Sequence, residues 1–157
     1  MPNLTSLAID TPIGPLTIFA TDQAVTRLDF AAGKSISASP QSMAVADQAA
    51  FELGQYFARQ RKSFEVSVEL QGTDFQKSVW REISRVNFGE TKTYAELAGA
   101  IGNPKAARAV GGAVGANPVP IIVPCHRIMG AAGNLTGYSG GTGIPTKIQL
   151  LELEGLM

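Results

Sequence analysis

The period of the apolar positions changes near residue 71. Before it, residues 4–9, 16–21 and 24–30 are short apolar-rich runs separated by "DTPIGP" and "TDQ", which predicts a three-stranded β-meander. A Ser-, Ala- and Gly-rich stretch over 31–42 reads as a loop. Val45, Ala46, Ala49, Leu53, Tyr56 and Phe57 then recur at helical spacing. "SFEVSVEL" alternates Phe64, Val66, Val68 and Leu70 on one face and predicts another strand.

After Gln71-Gly72 the pattern turns helical. Thr73 with Gln76 forms a capping-box signature ahead of the stripe Phe75, Val79, Ile83 and Val86, and Phe88-Gly89 marks the end of that helix. Thr93 with Glu96 is a second such signature, opening a short helix over 94–101 that Gly102 stops. Asn103 as N-cap and Pro104 at the first helical position predict a third helix through Gly115. The chain therefore divides into a β-rich part, 1–70, and a helical part, 71–157, whose paired short helices suggest a helix-turn-helix.

On a helical wheel the third helix places Ala106, Ala109, Val110, Ala113 and Val114 on one side. Pro104, Lys105, Arg108, Gly111, Gly112 and Gly115 lie on the other. Each interior glycine costs about 1 kcal/mol relative to alanine, so three of them on one face need a reason. Two readings are open at this point. Another backbone approaches the bare face, with the planar Arg108 head able to stack on bases; or the glycines permit tight packing within this chain and Arg108 sits in a surface ion pair.

The chain has one cysteine and one histidine, and they are adjacent: Cys125 and His126 in "IIVPCHRIMG". Pro118, Pro120 and Pro124 make the approach to them extended and stiff. A lone cysteine in an apolar stretch is usually inert core. A neighbouring histidine can instead shift a thiol toward thiolate. Adjacent residues of an extended chain point to opposite sides, so the pair needs a bend or a bridging water to meet. Glu152 and Glu154 are both candidates to orient the imidazole. A cysteine hydrolase is the obvious chemistry for Cys–His–Glu alone. Tyr138 and Ser139 lie in the Gly-rich "NLTGYSGG", either a wall for a planar ligand or an ordinary turn.

Composition narrows the setting. The 157 residues carry zero formal net charge, against a protein that coats nucleic acid by bulk electrostatics. A single cysteine excludes an internal disulfide and a Cys-based structural zinc site, and suggests a reducing, cytoplasmic location. No run is long and apolar enough for a bilayer, and the opening "MPNLTSLAIDTPIG" lacks the pattern of a secretory signal. No membrane association, cofactor or metal is expected, and nothing calls for a dimer, so a monomer is expected.

Taken together, "FQKSVWREI", "GETKTYAELAGAIGNPKAARAVGGAVGANPVPIIVPCHRI" and "GYSGG" resemble the O6-alkylguanine-DNA alkyltransferases, the methylated-DNA–protein-cysteine methyltransferases. "LLELEG" matches more loosely. The resemblance implies an α/β (α+β) fold. A ribonuclease-H-like β-meander-plus-helix domain would occupy 1–70, followed by a helical, winged helix-turn-helix-like domain over 71–157 that binds DNA and accepts the alkyl group.

It further implies single-turnover transfer of an alkyl group from O6 of guanine in duplex DNA to Cys125, after the nucleotide is flipped out; O4-alkylthymine is a possible secondary substrate. His126 would deprotonate Cys125 through water, and Glu154, before the Gly of "LEG", would hold the imidazole. Tyr94 would protonate or hydrogen-bond the leaving guanine and crowd the rotating phosphate. Arg108 would fill the vacated space, and Asn117 would hold the turn before the cysteine segment. Cys125, Ile128, Tyr138 and Ser139 would line the base pocket. Ala95, Asn103, Gly111, Gly112 and Ala131, with Tyr94 and Arg108, would lie against the minor groove.

Two positions depart from the family pattern. Gly115 stands where some relatives carry a basic residue, and "GGTGIPTK" is longer than the corresponding link, leaving pocket size open. The rivals are a turning-over Cys–His–Glu hydrolase, a non-catalytic binder of alkylated bases, and a helix-turn-helix regulator, which would want more basic charge.

Overall fold

The computed structural model describes residues 4–135 and 137–157; Thr136, in the Gly-rich loop, lies outside them. The chain forms two compact units, Met1–Leu70 and Gln71–Met157.

In the first unit, β1 (Thr5–Thr11), β2 (Gly14–Ala20) and β3 (Val25–Asp29) form an antiparallel sheet in the order β1-β2-β3. The central strand buries Leu16, Ile18 and Ala20 completely. Helix α1 (Pro40–Phe57) lays Ala46, Ala49, Leu53 and Tyr56 into the same core. Burying each large apolar side chain contributes about 1.5–3 kcal/mol.

Helix α1 starts earlier than the apolar spacing predicts. Ser39 caps it by accepting from the Ser42 N–H, and Pro40 occupies the first turn, so part of the expected 31–42 loop is helix. "SFEVSVEL" keeps its alternation but is not a strand. Only Val68 bridges Val25, in parallel sense, and the Glu65 and Val66 N–H groups donate to the buried Glu52 carboxylate at 2.8 and 3.1 Å instead of to a ladder.

The second unit begins with α2 (Asp74–Ser84), and both bonds of the Thr73–Gln76 capping box form. It ends before Phe88-Gly89; Val86 is buried just beyond the helix. Trp80 is buried, and its Nε1 donates to the Ala113 carbonyl at 2.8 Å, tying α2 to α4. Helix α3 (Tyr94–Ala100) has the predicted Thr93–Glu96 box. It closes in a Schellman turn, where Gly102 N–H donates to Gly99 O and Asn103 N–H to Ala98 O.

Helix α4 is shorter than expected, Ala107–Gly115. Asn103 does not cap it. Its carbonyl accepts from Ala106 N–H in a separate turn, and no side chain caps α4. Val110, Ala113 and Val114 face the core, whereas Ala109 is exposed. After a 3₁₀ turn over Cys125–Arg127, β4 (Lys92–Thr93) pairs in parallel with β5 (Ile128–Met129). Helix α5 (Ile144–Leu153) completes the unit. No helix among the described residues is long and apolar enough to cross a membrane.

Candidate active site

The proline-rich approach is rigid for more than one reason. Asn117 spans it, accepting from Val119 N–H at 3.0 Å and donating from Nδ2 to Val123 O at 2.8 Å. Val123 N–H returns to Val119 O, and Ile121 takes a left-handed φ of 73°. The chain then enters the 3₁₀ turn at Cys125, which supplies the bend that a plain extended segment lacks. Because Thr93 pairs with Met129, the start of α3, and with it Tyr94, is carried to the end of this segment.

Cys125 is buried. Burial pushes the thiol pKa up, outweighing the polar side chains of Asn117 and Tyr138 and the Lys147 charge, which favour ionisation. His126 is fully buried, and desolvation holds its imidazole below the ordinary histidine value although Glu154 opposes this. The resting pair is therefore a thiol beside a neutral imidazole. Desolvation is the largest influence on both groups.

Glu154 is the carboxylate that reaches His126, with Oε2 at 2.6 Å from Nε2; Glu152 is exposed. Gly155 makes this possible. Its φ of 77° ends α5 with Gly155 N–H on Glu152 O and Leu156 N–H on Leu151 O, leaving Glu154 at the inward-facing C-cap. A carboxylate only accepts, so Nε2 carries the proton and Nδ1 is the basic nitrogen. Nδ1 is buried with no hydrogen-bond partner among the described residues.

Two site residues escape sequence reasoning. Arg127, buried, donates to Glu154 from Nε at 2.8 Å and Nη2 at 3.0 Å, and from Nη1 to Val86 O at 2.7 Å. Lys147, 1% exposed, donates to Ile128 O at 2.5 Å; desolvation lowers its pKa while the Cys125 charge raises it. Nothing in the local sequence marks Lys147, since a lysine in an amphipathic helix ordinarily faces solvent.

The remaining expected residues fall into two groups. Ile128 is fully buried behind the thiol segment, Tyr138 is half-buried, and Ser139 is exposed, with Oγ donating to Gly115 O at 3.2 Å. Ala95, Asn103, Arg108, Gly112 and Ala131 are exposed. Gly111 is half-buried beside the Tyr94 ring, at ordinary contact distance for an added Cβ. A Cβ at Gly112 or Gly115 would meet open space, so the bare face of α4 is not explained by packing there. Among the described residues Arg108 makes no ion pair or side-chain hydrogen bond.

Residues 74–156 match the DNA-binding domain of 6-O-methylguanine DNA methyltransferase, and residues 6–70 match its ribonuclease-like domain. The chain belongs to the methylated-DNA–protein-cysteine methyltransferase family. A member from Methanosarcina acetivorans is 45% identical over 150 residues, covering 93% of this chain and 95% of that protein. One from Mycobacterium tuberculosis H37Rv is 46% identical over 151 residues, covering 93% and 89%. The solved structure of Mycobacterium tuberculosis OGT in complex with DNA matches with a TM-score of 0.83 at 47% identity, covering 94% of this chain and 90% of that one.

Proposed function

We propose that this protein repairs DNA by moving an alkyl group, typically methyl, from O6 of guanine in a duplex irreversibly onto Cys125. The observation that carries this reading is the buried His126–Glu154 contact of 2.6 Å directly behind the chain's only thiol. The thiol proton passes through one water to His126 Nδ1, and Glu154 stabilises the resulting imidazolium. Sulfur then bonds the alkyl carbon as the C–O6 bond breaks, its electron pair passing to O6. Tyr94 hydrogen-bonds or protonates the guanine as it leaves.

Delaying ionisation until the base is in place suits a buried thiol, which is protected from other electrophiles while it searches. The product is a thioether without a reasonable leaving group, so each molecule reacts once. No cofactor is needed.

The DNA-binding roles rest on exposure and size. Ala95, Asn103, Gly112 and Ala131 are exposed and offer little bulk, and half-buried Gly111 adds none, which suits α4 and its neighbouring segments lying against the minor groove. Arg108, long, planar and without an ion pair or side-chain hydrogen bond among the described residues, fills the stack when the nucleotide is flipped out. Ile128, Tyr138 and Ser139 bound the base pocket, with Asn117 fixing the segment before Cys125. In this reading residues 71–157 are the DNA-binding and alkyl-acceptor domain and 1–70 a β-rich companion. The protein works as a monomer in the reducing cytoplasm.

Incubation with an O6-methylguanine duplex followed by peptide mass mapping tests the assignment. One methyl-for-hydrogen increment on the Cys125 peptide is expected. An unmodified Cys125 with disappearance of the lesion contradicts it, as does full repair by Cys125→Ala.

A further inference from the structure

We propose that Ile121 is a positioning residue for the thiol: its buried side chain holds a left-handed turn, and that turn fixes the backbone from which Cys125 hangs. This rests on the alkyl-transfer reading above. At φ 73° Ile121 lies where a β-branched residue is a steric outlier. Ile122 N–H donates to Pro120 O at 2.9 Å across it, the closure of a classic γ-turn, which is rare and strained. Such strain disfavours a conformation by about 5- to 150-fold. The chain uses glycine for this region at Gly102 and Gly155, and the other non-glycine residues there among those described, Arg59 and Ala132, are exposed. Ile121 alone of the three is buried, 1% exposed, and its burial offsets a strain of that order.

The turn reaches the cysteine through a short chain of bonds. Val123 N–H donates to Val119 O at 3.0 Å, closing the loop around Ile121. The Val123 carbonyl then takes two donors, Asn117 Nδ2 and the Cys125 N–H, each at 2.8 Å. Pro118, Pro120 and Pro124 have no N–H to give. The N–H groups of Val119, Ile122, Val123 and Cys125 donate within the segment or to the Asn117 side chain. The Cys125 amide is thus fixed by a carbonyl two residues beyond the strained one. Glycine at 121 would take the same φ freely, but without a side chain in the core it would also take others. A shift of about 1 Å at a reacting atom costs about 100-fold in rate. An anchored, strained isoleucine therefore holds sulfur more closely than a relaxed glycine.

Ile121→Gly, Ile121→Ala and Ile121→Val form the test, with urea titration and single-turnover transfer from an O6-methylguanine duplex. Ile121→Gly should be at least as stable as Ile121→Ala, reversing the usual order, because alanine and not glycine is strained at φ 73°. In both, the saturating rate constant should fall about 10- to 100-fold, with the half-saturating duplex concentration within about twofold of the parent's. Ile121→Val, which keeps the anchor, should stay within about threefold of the parent rate. A merely structural residue would lower the amplitude, through fewer folded molecules, and leave the rate constant of the remainder unchanged, which overturns the proposal. So does an alanine variant clearly more stable than the glycine one. Should neither small variant fold, hydrogen exchange on Ile121→Val decides. Its Val123 and Cys125 amides should speed about 2- to 10-fold relative to those of α2, and no relative change overturns the proposal. Should the parent's Cys125 remain unmethylated by the duplex, the alkyl-transfer reading fails, while the glycine–alanine order still decides whether the turn is strained.

Discussion

Replacing Glu154 by glutamine changes one oxygen and tests how the base is built. In the native site Oε2 serves both His126 Nε2 at 2.6 Å and Arg127 Nη2 at 3.0 Å, while Oε1 serves Arg127 Nε at 2.8 Å. An amide cannot satisfy all three donors. With NH₂ at the Oε1 place it meets the Arg127 Nε–H, donor against donor. At the Oε2 place it opposes Nη2 and donates to His126, driving the imidazole proton onto Nδ1, the nitrogen that must receive the thiol proton. Both arrangements leave the buried Arg127 charge without its counter-ion, a change that costs about 3–5 kcal/mol. Loss of general-base help slows proton transfer by about 10²–10⁴-fold.

The assay is single-turnover methyl transfer at low temperature, where urea titration shows the variant folded. The parent rate should hold through neutral pH and fall only well below about 6.5, because burial depresses the His126 pKa. The glutamine variant should instead accelerate continuously with pH as the thiol itself ionises. A Glu154→Gln protein within about threefold of the parent rate at pH 7, with the same acid limb, would refute this account of the base.

Other outcomes follow from the same geometry. Arg108→Ala should react normally with free O6-benzylguanine yet repair duplex slowly, as single-turnover rates on both substrates would reveal; equal loss on both contradicts an extrahelical role. Since burial raises the Cys125 pKa, iodoacetamide labelling should rise with pH through a midpoint above about 8.5, and a midpoint below that value removes the resting-thiol state. Glu52→Ala should destabilise the first unit by about 2–4 kcal/mol, read by urea unfolding, because two backbone donors lose their acceptor. The Glu52 pKa is lowered, burial being outweighed by bonds from Gln48, Val66 and Glu65 and by Arg61, so its stabilisation is present above the ordinary carboxylate pKa. It is lost as pH falls through the depressed value, and Glu52→Ala should flatten that acid limb.

Local signals were legible where a side chain acts on its own neighbourhood. The Thr73 and Thr93 capping boxes both form, and the "LEG" at the C-terminus places Glu154 through the left-handed Gly155. Errors arose where a distant group competes for the backbone. Glu52 takes the amides that would have made 64–70 a strand, and Asn103 spends its carbonyl on a turn instead of capping α4. Arg127 and Lys147 were hidden because their partners, Glu154 and Ile128, lie 27 and 19 residues away, beyond any periodic pattern. The proton state of Cys125 was equally out of reach, since adjacency to a histidine says nothing about how completely the fold removes water from both.

The most direct measurement is stoichiometry: limiting protein is mixed with excess O6-methylguanine duplex and restored guanine is counted to completion. A plateau at one lesion per protein molecule, unmoved by longer incubation, is expected of a thiol that becomes a thioether. Continued repair beyond that plateau would mean that the carbon group leaves Cys125 again, and irreversible transfer would be contradicted.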